Sequence, residues 1–305
     1  MMSNTFRYSP EVSRALSVGE AVVALESTVI THGLPYPENQ ETALLMEAAV
    51  RSGGAIPATI ALIAGRAIIG LSNEEIDYLA VQEQGKVRKC SLRDLSPVVA
   101  GGLDGSTTVA ATMLLAHRAG IEVFATGGIG GVHRGHPFDV SADLTALGNI
   151  PITVVCSGAK AILDLAATRE VLETQGVTVV GYEVDELPAF YSRSSGLPVD
   201  VRADSPEAVA MIIAARQQLE MKAAILVGVP APESDAMTTD AIEPTIQQAT
   251  EEAEAKGIIG PASTPWLLAR VAEISGGESQ RANVALLKNN GYVAARIAVA
   301  FAMNK

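Results

Sequence analysis

IEVFATGGIGGVHRG (121–135), HPFDVSAD (136–143) and ITVVCSGAK (152–160) decide the reading of this chain. Two apolar, β-branched runs, 121–125 and 152–156, lead directly into glycine-rich turns without polar alternation. Such runs are central strands covered on both faces, because a sheet with one wet face alternates apolar and polar residues. The signature recurs outward in EAVVALESTVI (20–30), ATIALIAG (58–65), VTVVGYE (177–183) and AAILVGVP (223–230).

Helical patterns fill the intervals. Residues 39–51 put Leu44, Leu45, Ala48 and Ala49 on one face and stop at Gly53-Gly54. Residues 106–119 open on Ser-Thr-Thr and end at Gly120, and residues 159–174 run from the Cys-Ser-Gly turn to Gly176. Ser205-Pro206-Glu207 caps a further helix with proline at its first position. The C-terminal stretch reads as helix, broken near 257–261 and 276–277. Strands alternating with helices predict an α/β fold. The expectation is a three-layer α/β/α arrangement with a central, mostly parallel mixed sheet and a helical C-terminal region, one domain over 1–305.

Composition narrows the function. The chain is 48% hydrophobic but only 4% aromatic, so its core is built from Ala, Val, Ile and Leu. A net charge of −12 argues against nucleic-acid binding, which needs a basic face. It leaves room for a phosphorylated substrate, since a few cations and backbone N–H groups can hold a phosphate in an acidic protein. Cys90 and Cys156 form no C-x-x-C pair and read as reduced thiols. Neither a signal peptide nor an 18-residue apolar run is visible, so a cytosolic chain away from membranes is expected.

The glycines of 127–131 follow a strand, but His-Arg-Gly-His-Pro follows them where a dinucleotide fingerprint requires a helix, so a nicotinamide or flavin site is not expected. Lys160, at a strand end and expected helix start, suits a desolvated amine nucleophile or a plain solvated lysine. Asp139 and Asp143 could face one cavity and offer oxygen ligands to Mg²⁺ or Mn²⁺, or could serve as a cap and a surface acid. Glu26 interrupts an apolar strand ahead of Thr28, Thr31 and His32, which suits a general acid or a solvent-facing strand end. His133 with Arg134, or Gly101-Gly102 ahead of Ser106, could hold a phosphate, and either could be simple turn chemistry.

Taken in order, ALESTVITHGLPYP, KCSLRDL, GSTTVAAT, TGGIGGVHRG, FDVSADL, VVCSGAK, STPWLL and AN-x-ALLKNN resemble the pseudouridine-5′-phosphate glycosidase family, also called indigoidine-synthase-A-like proteins, from about residue 10 to about residue 300. The resemblance implies a cytosolic homotrimer that interconverts pseudouridine 5′-phosphate with uracil and ribose 5-phosphate, using one Mn²⁺ per subunit. It implies Glu26 as proton donor, Lys160 as covalent nucleophile and Asp139 as metal ligand. It further implies Lys89, Val109, Ser141, Ala142 and Asp143 at the substrate, with Thr126, His133 and Asn283 in the same pocket. Leu92 and Trp266 depart from the family pattern without touching those positions. A separate pseudouridine kinase, rather than one fused to this chain, is expected to supply the substrate. A Schiff-base aldolase, an N-glycoside nucleosidase and a non-catalytic sugar-phosphate binder are the competing readings.

Overall fold

The computed structural model describes residues 5–83, 85–258, 260 and 263–304. Its strands are β1 (Phe6–Tyr8), β2 (Val22–Leu25), β3 (Ile56–Ile63), β4 (Arg66–Ile69), β5 (Arg88–Cys90), β6 (Gly105–Thr107), β7 (Val123–Ala125), β8 (Val132–His133), β9 (His136–Val140), β10 (Thr153–Cys156), β11 (Leu163–Asp164), β12 (Thr178–Tyr182), β13 (Val201–Ala203) and β14 (Ile225–Gly228). Its helices are α1 (Pro10–Ser17), α2 (Thr28–His32), α3 (Glu38–Ser52), α4 (Asn73–Ala80), α5 (Leu92–Gly101), α6 (Val109–Arg118), α7 (Ala142–Asn149), α8 (Leu165–Thr174), α9 (Pro206–Gln218), α10 (Thr239–Ala255), α11 (Ser263–Ile274) and α12 (Glu278–Ala302).

The main sheet runs β1-β4-β3-β2-β7-β10-β14-β12-β13, with β6 pairing β3 and β5 pairing β6. From β3 to β13 every neighbour on this path is parallel; β3 pairs antiparallel with β4 and β6. This is the expected mixed, mostly parallel α/β sheet. Every residue of β2, β7 and β10 is buried, so both faces are covered. The long helix α12 lies against α3, α9 and the strands β2, β7 and β10. Leu25, Ala125 and Val155 are level across the three strands. Glu26 and Thr126 therefore leave the sheet at the height of Cys156, the last residue of β10, where open parallel sheets hold their ligands.

Four local expectations are corrected. The strand expected over 20–30 stops at Leu25, and the next turn is helical. The reason is Ser27: its buried hydroxyl donates to Ile60 O (2.7 Å) and accepts from Thr107 N (2.8 Å), which turns the chain away from the sheet. In α3 the buried face is Asn39, Thr42, Ala43, Met46 and Val50, while Leu45 is exposed. Asn39 can be buried because its amide donates to Ile30 O and Ala80 O.

The helix expected from 106 begins at Val109, because residues 105–107 pair in β6 and Thr108 caps the helix. The helix expected from 159 begins only at Leu165, capped by Asp164. Ahead of it Ala159 bridges to Ile129, and β11 joins β8 and β9 in a small antiparallel sheet. The C-terminal helices are as expected, with Gly276 and Gly277 at positive φ between α11 and α12; the break near 257–261 falls partly outside the described residues.

Candidate active site

Above the C-terminal ends of β2, β7 and β10 lies a cavity of about 580 Å3. Glu26, Lys89, Val109, Thr126, His133, Asp139, Ser141, Ala142, Asp143, Lys160 and Asn283 all line it. The residues singled out from the sequence thus come together, although they span more than 250 positions of the chain.

Glu26 stands at the end of β2 with a hydroxyl on each carboxylate oxygen: Thr126 Oγ1 donates to one and Thr28 Oγ1 to the other. Two short side chains on rigid neighbours leave that carboxyl one orientation. Lys160 sits in the turn after β10, not at a helix start. Its backbone N–H bonds Ile129 O (3.1 Å), and its Nζ donates to Gly128 O (2.7 Å). The turn requires glycine at 158, where φ is +81° and a Cβ would lie 2.0 Å from Pro188 O.

Asp143 is buried and occupied. Its two oxygens accept Ala110 N (3.0 Å) and Gly130 N (2.8 Å), tying the start of α6 to the glycine loop. A side chain at Gly130 would collide with Ser141 Oγ and Asp143 Oδ2. Ser141 caps α7, receiving Asp143 N at 3.2 Å.

Lys89 enters from β5. Burial lowers its pKa, the Lys160 charge lowers it further, and Glu26 and Asp143 act in the opposite sense. His133 is also lowered, chiefly by burial, against the pull of the Asp139 carboxylate. The cysteines stay thiols: burial pushes Cys90 up to about 11 and Cys156 up to about 12.

His32, which carries no role on sequence grounds, also lines the cavity. Burial, then the charge of Lys89, lowers its pKa to about 4, so the ring is neutral at neutral pH. The Thr31 hydroxyl hydrogen goes to Ser106 Oγ (2.7 Å), so Nδ1–H donates to Thr31 Oγ1 (2.6 Å) and the acceptor nitrogen is Nε2. Ser91 and Arg93, beside Lys89, and Thr264, Pro265 and Leu268 of α11 complete the wall.

Neither suggested phosphate nest survives as such. Arg134 turns away from the cavity, pairing with Glu243 and donating to Leu163 O (3.2 Å) and Ala161 O (2.9 Å). Gly101 and Gly102 end α5, which presents carbonyls rather than N–H groups. Asp139 is on β9 and Asp143 on α7, so they are not one helix face. Among the described residues no group of three or more His, Cys, Asp or Glu could hold a metal ion. A lone carboxylate at a cavity wall suits a hydrated Mg²⁺ or Mn²⁺, which keeps waters and takes substrate phosphate, and does not suit a zinc-type site with three protein ligands.

Comparison with known proteins places the chain among close relatives. Residues 11–300 match the family model described as indigoidine synthase A like protein. The pseudouridine-5′-phosphate glycosidase of Hahella chejuensis is 52% identical over 295 residues, covering 96% of this chain and 97% of that protein. The enzyme of the same name from Escherichia coli is 52% identical over 292 residues, covering 95% and 93%. Among solved structures, a prealnumycin C-glycosynthase in complex with ribulose 5-phosphate superposes with a TM-score of 0.90 at 40% identity, covering 98% of this chain and 97% of that one. An indigoidine synthase A-like protein from Thermotoga maritima gives 0.88 at 36% identity, covering 97% and 96%. The chain therefore belongs to the indigoidine synthase A-like family, together with these pseudouridine-5′-phosphate glycosidases.

Proposed function

We propose that this enzyme cleaves the C–C glycosidic bond of pseudouridine 5′-phosphate, reversibly, through a covalent adduct on Lys160. The observation that carries the reading is the meeting of a hydroxyl-clamped Glu26 and a backbone-held Lys160 over one cavity. A carbon-bonded uracil cannot leave by simple protonation of a ring nitrogen, so the sugar must be activated instead. Glu26 gives its proton to the ribose ring oxygen while the uracil N1 electron pair pushes through C6 and C5, opening the C1′–O bond. The Lys160 amine adds to C1′ and restores the pyrimidine. Glu26, now a carboxylate, receives the proton that Lys160 sheds and makes it available to C5. With C5 protonated, the Lys160 nitrogen pair forms the iminium at C1′ and the C1′–C5 pair returns to the uracil ring. Water then releases ribose 5-phosphate and frees the lysine.

Asp139 would hold Mn²⁺, which supplies a charge that orders water and the sugar phosphate. Lys89, Ser141 and Ala142 grip the substrate, with Val109 against the sugar. Asn283 offers a donor and an acceptor to the uracil edge. The C-glycosynthase relative with its bound pentulose phosphate supports the sugar-phosphate half of this assignment and operation in the bond-forming direction. The same reading carries a cytosolic homotrimer fed by a separate pseudouridine kinase. No helix among the described residues is long and apolar enough to cross a membrane.

The test is uracil release from pseudouridine 5′-phosphate with Mn²⁺, wild type against Lys160→Ala, with uridine 5′-phosphate as control. Lys160→Ala is expected to lose on the order of 10³-fold or more. A chelator should lower the wild-type rate without lowering the melting temperature. Near-normal turnover by Lys160→Ala would end the covalent route, and equal cleavage of uridine 5′-phosphate would make this a general nucleosidase.

A further inference from the structure

Asn290 lies on α12 and is fully buried. It follows Asn283 and Leu287 at helical spacing, on the stripe that meets residues 126–128. The approach is close: a Cβ on Gly127 would lie 3.1 Å from Leu287, 3.3 Å from Leu286 and 3.5 Å from Asn283. An amide buried in such a face carries a desolvation cost that a leucine would not. It is offset only by the hydrogen bonds the amide makes.

Those bonds are specific. Asn290 Nδ2 donates to Thr126 O (2.9 Å), Gly127 O (3.4 Å) and Ser157 Oγ (3.1 Å), and the Ser157 hydroxyl lies 3.3 Å from Asn290 Oδ1. Ser157 N in turn donates to Gly127 O (2.9 Å). One side chain therefore pins the ends of β7 and β10 to each other and to α12. The pinned residues carry the chemistry. Thr126 is the residue whose hydroxyl holds Glu26, Gly128 supplies the carbonyl that holds Lys160 Nζ, and Ser157 begins the turn that ends in Lys160.

We propose that Asn290 is a positioning residue that sets the separation of Glu26 and Lys160 by holding residues 126–128 against Ser157. This rests on the reading that Glu26 and Lys160 carry the reaction. Asn290 itself does not line the cavity.

The experiment compares wild type, Asn290→Ala and the isosteric Asn290→Asp, assayed well below their melting temperatures. Turnover, KM, ribose 5-phosphate affinity and the rate of borohydride-trapped adduct on Lys160 are read together. Both variants should lose about 10²-fold in kcat and in trapping rate, the scale of a misplacement near 1 Å, with KM and ribose 5-phosphate affinity within about 3-fold of wild type. Asn290→Asp should regain part of its rate as pH falls, because the protonated carboxyl can again donate to Thr126 O; wild type should show no such recovery.

Ala295→Gly, buried on the same helix on the side that packs against Gly53 after α3, is the control that lowers melting temperature without lowering kcat. If Asn290→Ala does not fold, Asn290→Asp and its pH profile decide. A folded Asn290 variant with kcat within about 3-fold of wild type would overturn the proposal, as would a KM that rises as much as kcat falls. If wild type releases no uracil and traps no adduct, the catalytic reading fails first and the proposal falls with it.

Discussion

The floor and the roof of the cavity are built in opposite ways. The floor is the level ends of β2, β7 and β10, where Glu26, Thr126, Gly128, Ser157 and Lys160 are bonded to buried backbone or to one another. The roof is α11 together with the β8–β9 hairpin. There Arg134 ties the hairpin to Glu243 of α10 by a partly exposed pair, Lys256 stacks over Trp266, and Phe138 stands fully exposed. The groups assigned to bond making and breaking are on the floor, whereas Asp139 and the α11 residues are on the roof. On that assignment bonds would change where side chains are held by buried backbone, and substrate would enter where the ties are fewer and more exposed.

That division can be broken by experiment. Glu26→Gln keeps both hydroxyl contacts in reach but removes the proton. It is expected to lower kcat by about 10²- to 10³-fold with little change in KM, measured by steady-state uracil release. A loss seen mainly in KM would mean that Glu26 binds rather than reacts.

Arg134→Ala removes the tie to Glu243 and the bonds to Ala161 O and Leu163 O. The expected result is a KM raised about 5- to 10-fold with kcat changed less than about 3-fold. A kcat loss as large as that of Glu26→Gln would show that roof and floor are one rigid unit.

The smallest effect concerns stability. The folded value of His32, about 4, lies below its unfolded value near 6.5. As pH falls through that window the unfolded chain takes up the proton first, so stability drops between about pH 6.5 and about pH 4, and this group contributes no pH dependence above it. The loss is on the order of 1–2 kcal/mol after allowance for partial exposure. Urea unfolding of wild type against His32→Phe from pH 7 to 4 should show a flatter profile in the variant, and parallel profiles would remove His32 as the cause.

The strands were legible because buried parallel strands write themselves as unbroken apolar runs. The failures have physical causes. Asn39 is buried by virtue of hydrogen bonds to the distant Ile30 O and Ala80 O, so counting apolar residues in 39–51 selects the wrong face. Residues 159–164 looked like a helix start because a Ser-Gly turn before alanines commonly is one; the pairing of Ala159 with Ile129 competes and wins. Arg134 reads as a candidate phosphate contact because its neighbours are glycines, and nothing local announces Glu243. Asn290 was invisible for the same reason, since a polar residue in a mixed helix carries no pattern until its partners are in place. The cavity residues are legible through their motifs, whereas only the geometry shows that both Asp143 oxygens are taken by Ala110 N and Gly130 N.

Gly158 has a consequence for anyone reshaping this cavity to take a larger aglycone. A single methyl there would strike the Pro188 carbonyl, displacing the segment that carries Phe190 into the cavity wall. The floor therefore offers no design freedom: its backbone paths are interlocked, and a library at 158 or 188 would sample broken enzymes. Thr264 and Leu268 on α11 border the same space, outside the interlocked floor. Variation placed there could change what the cavity admits while leaving Glu26 and Lys160 in place.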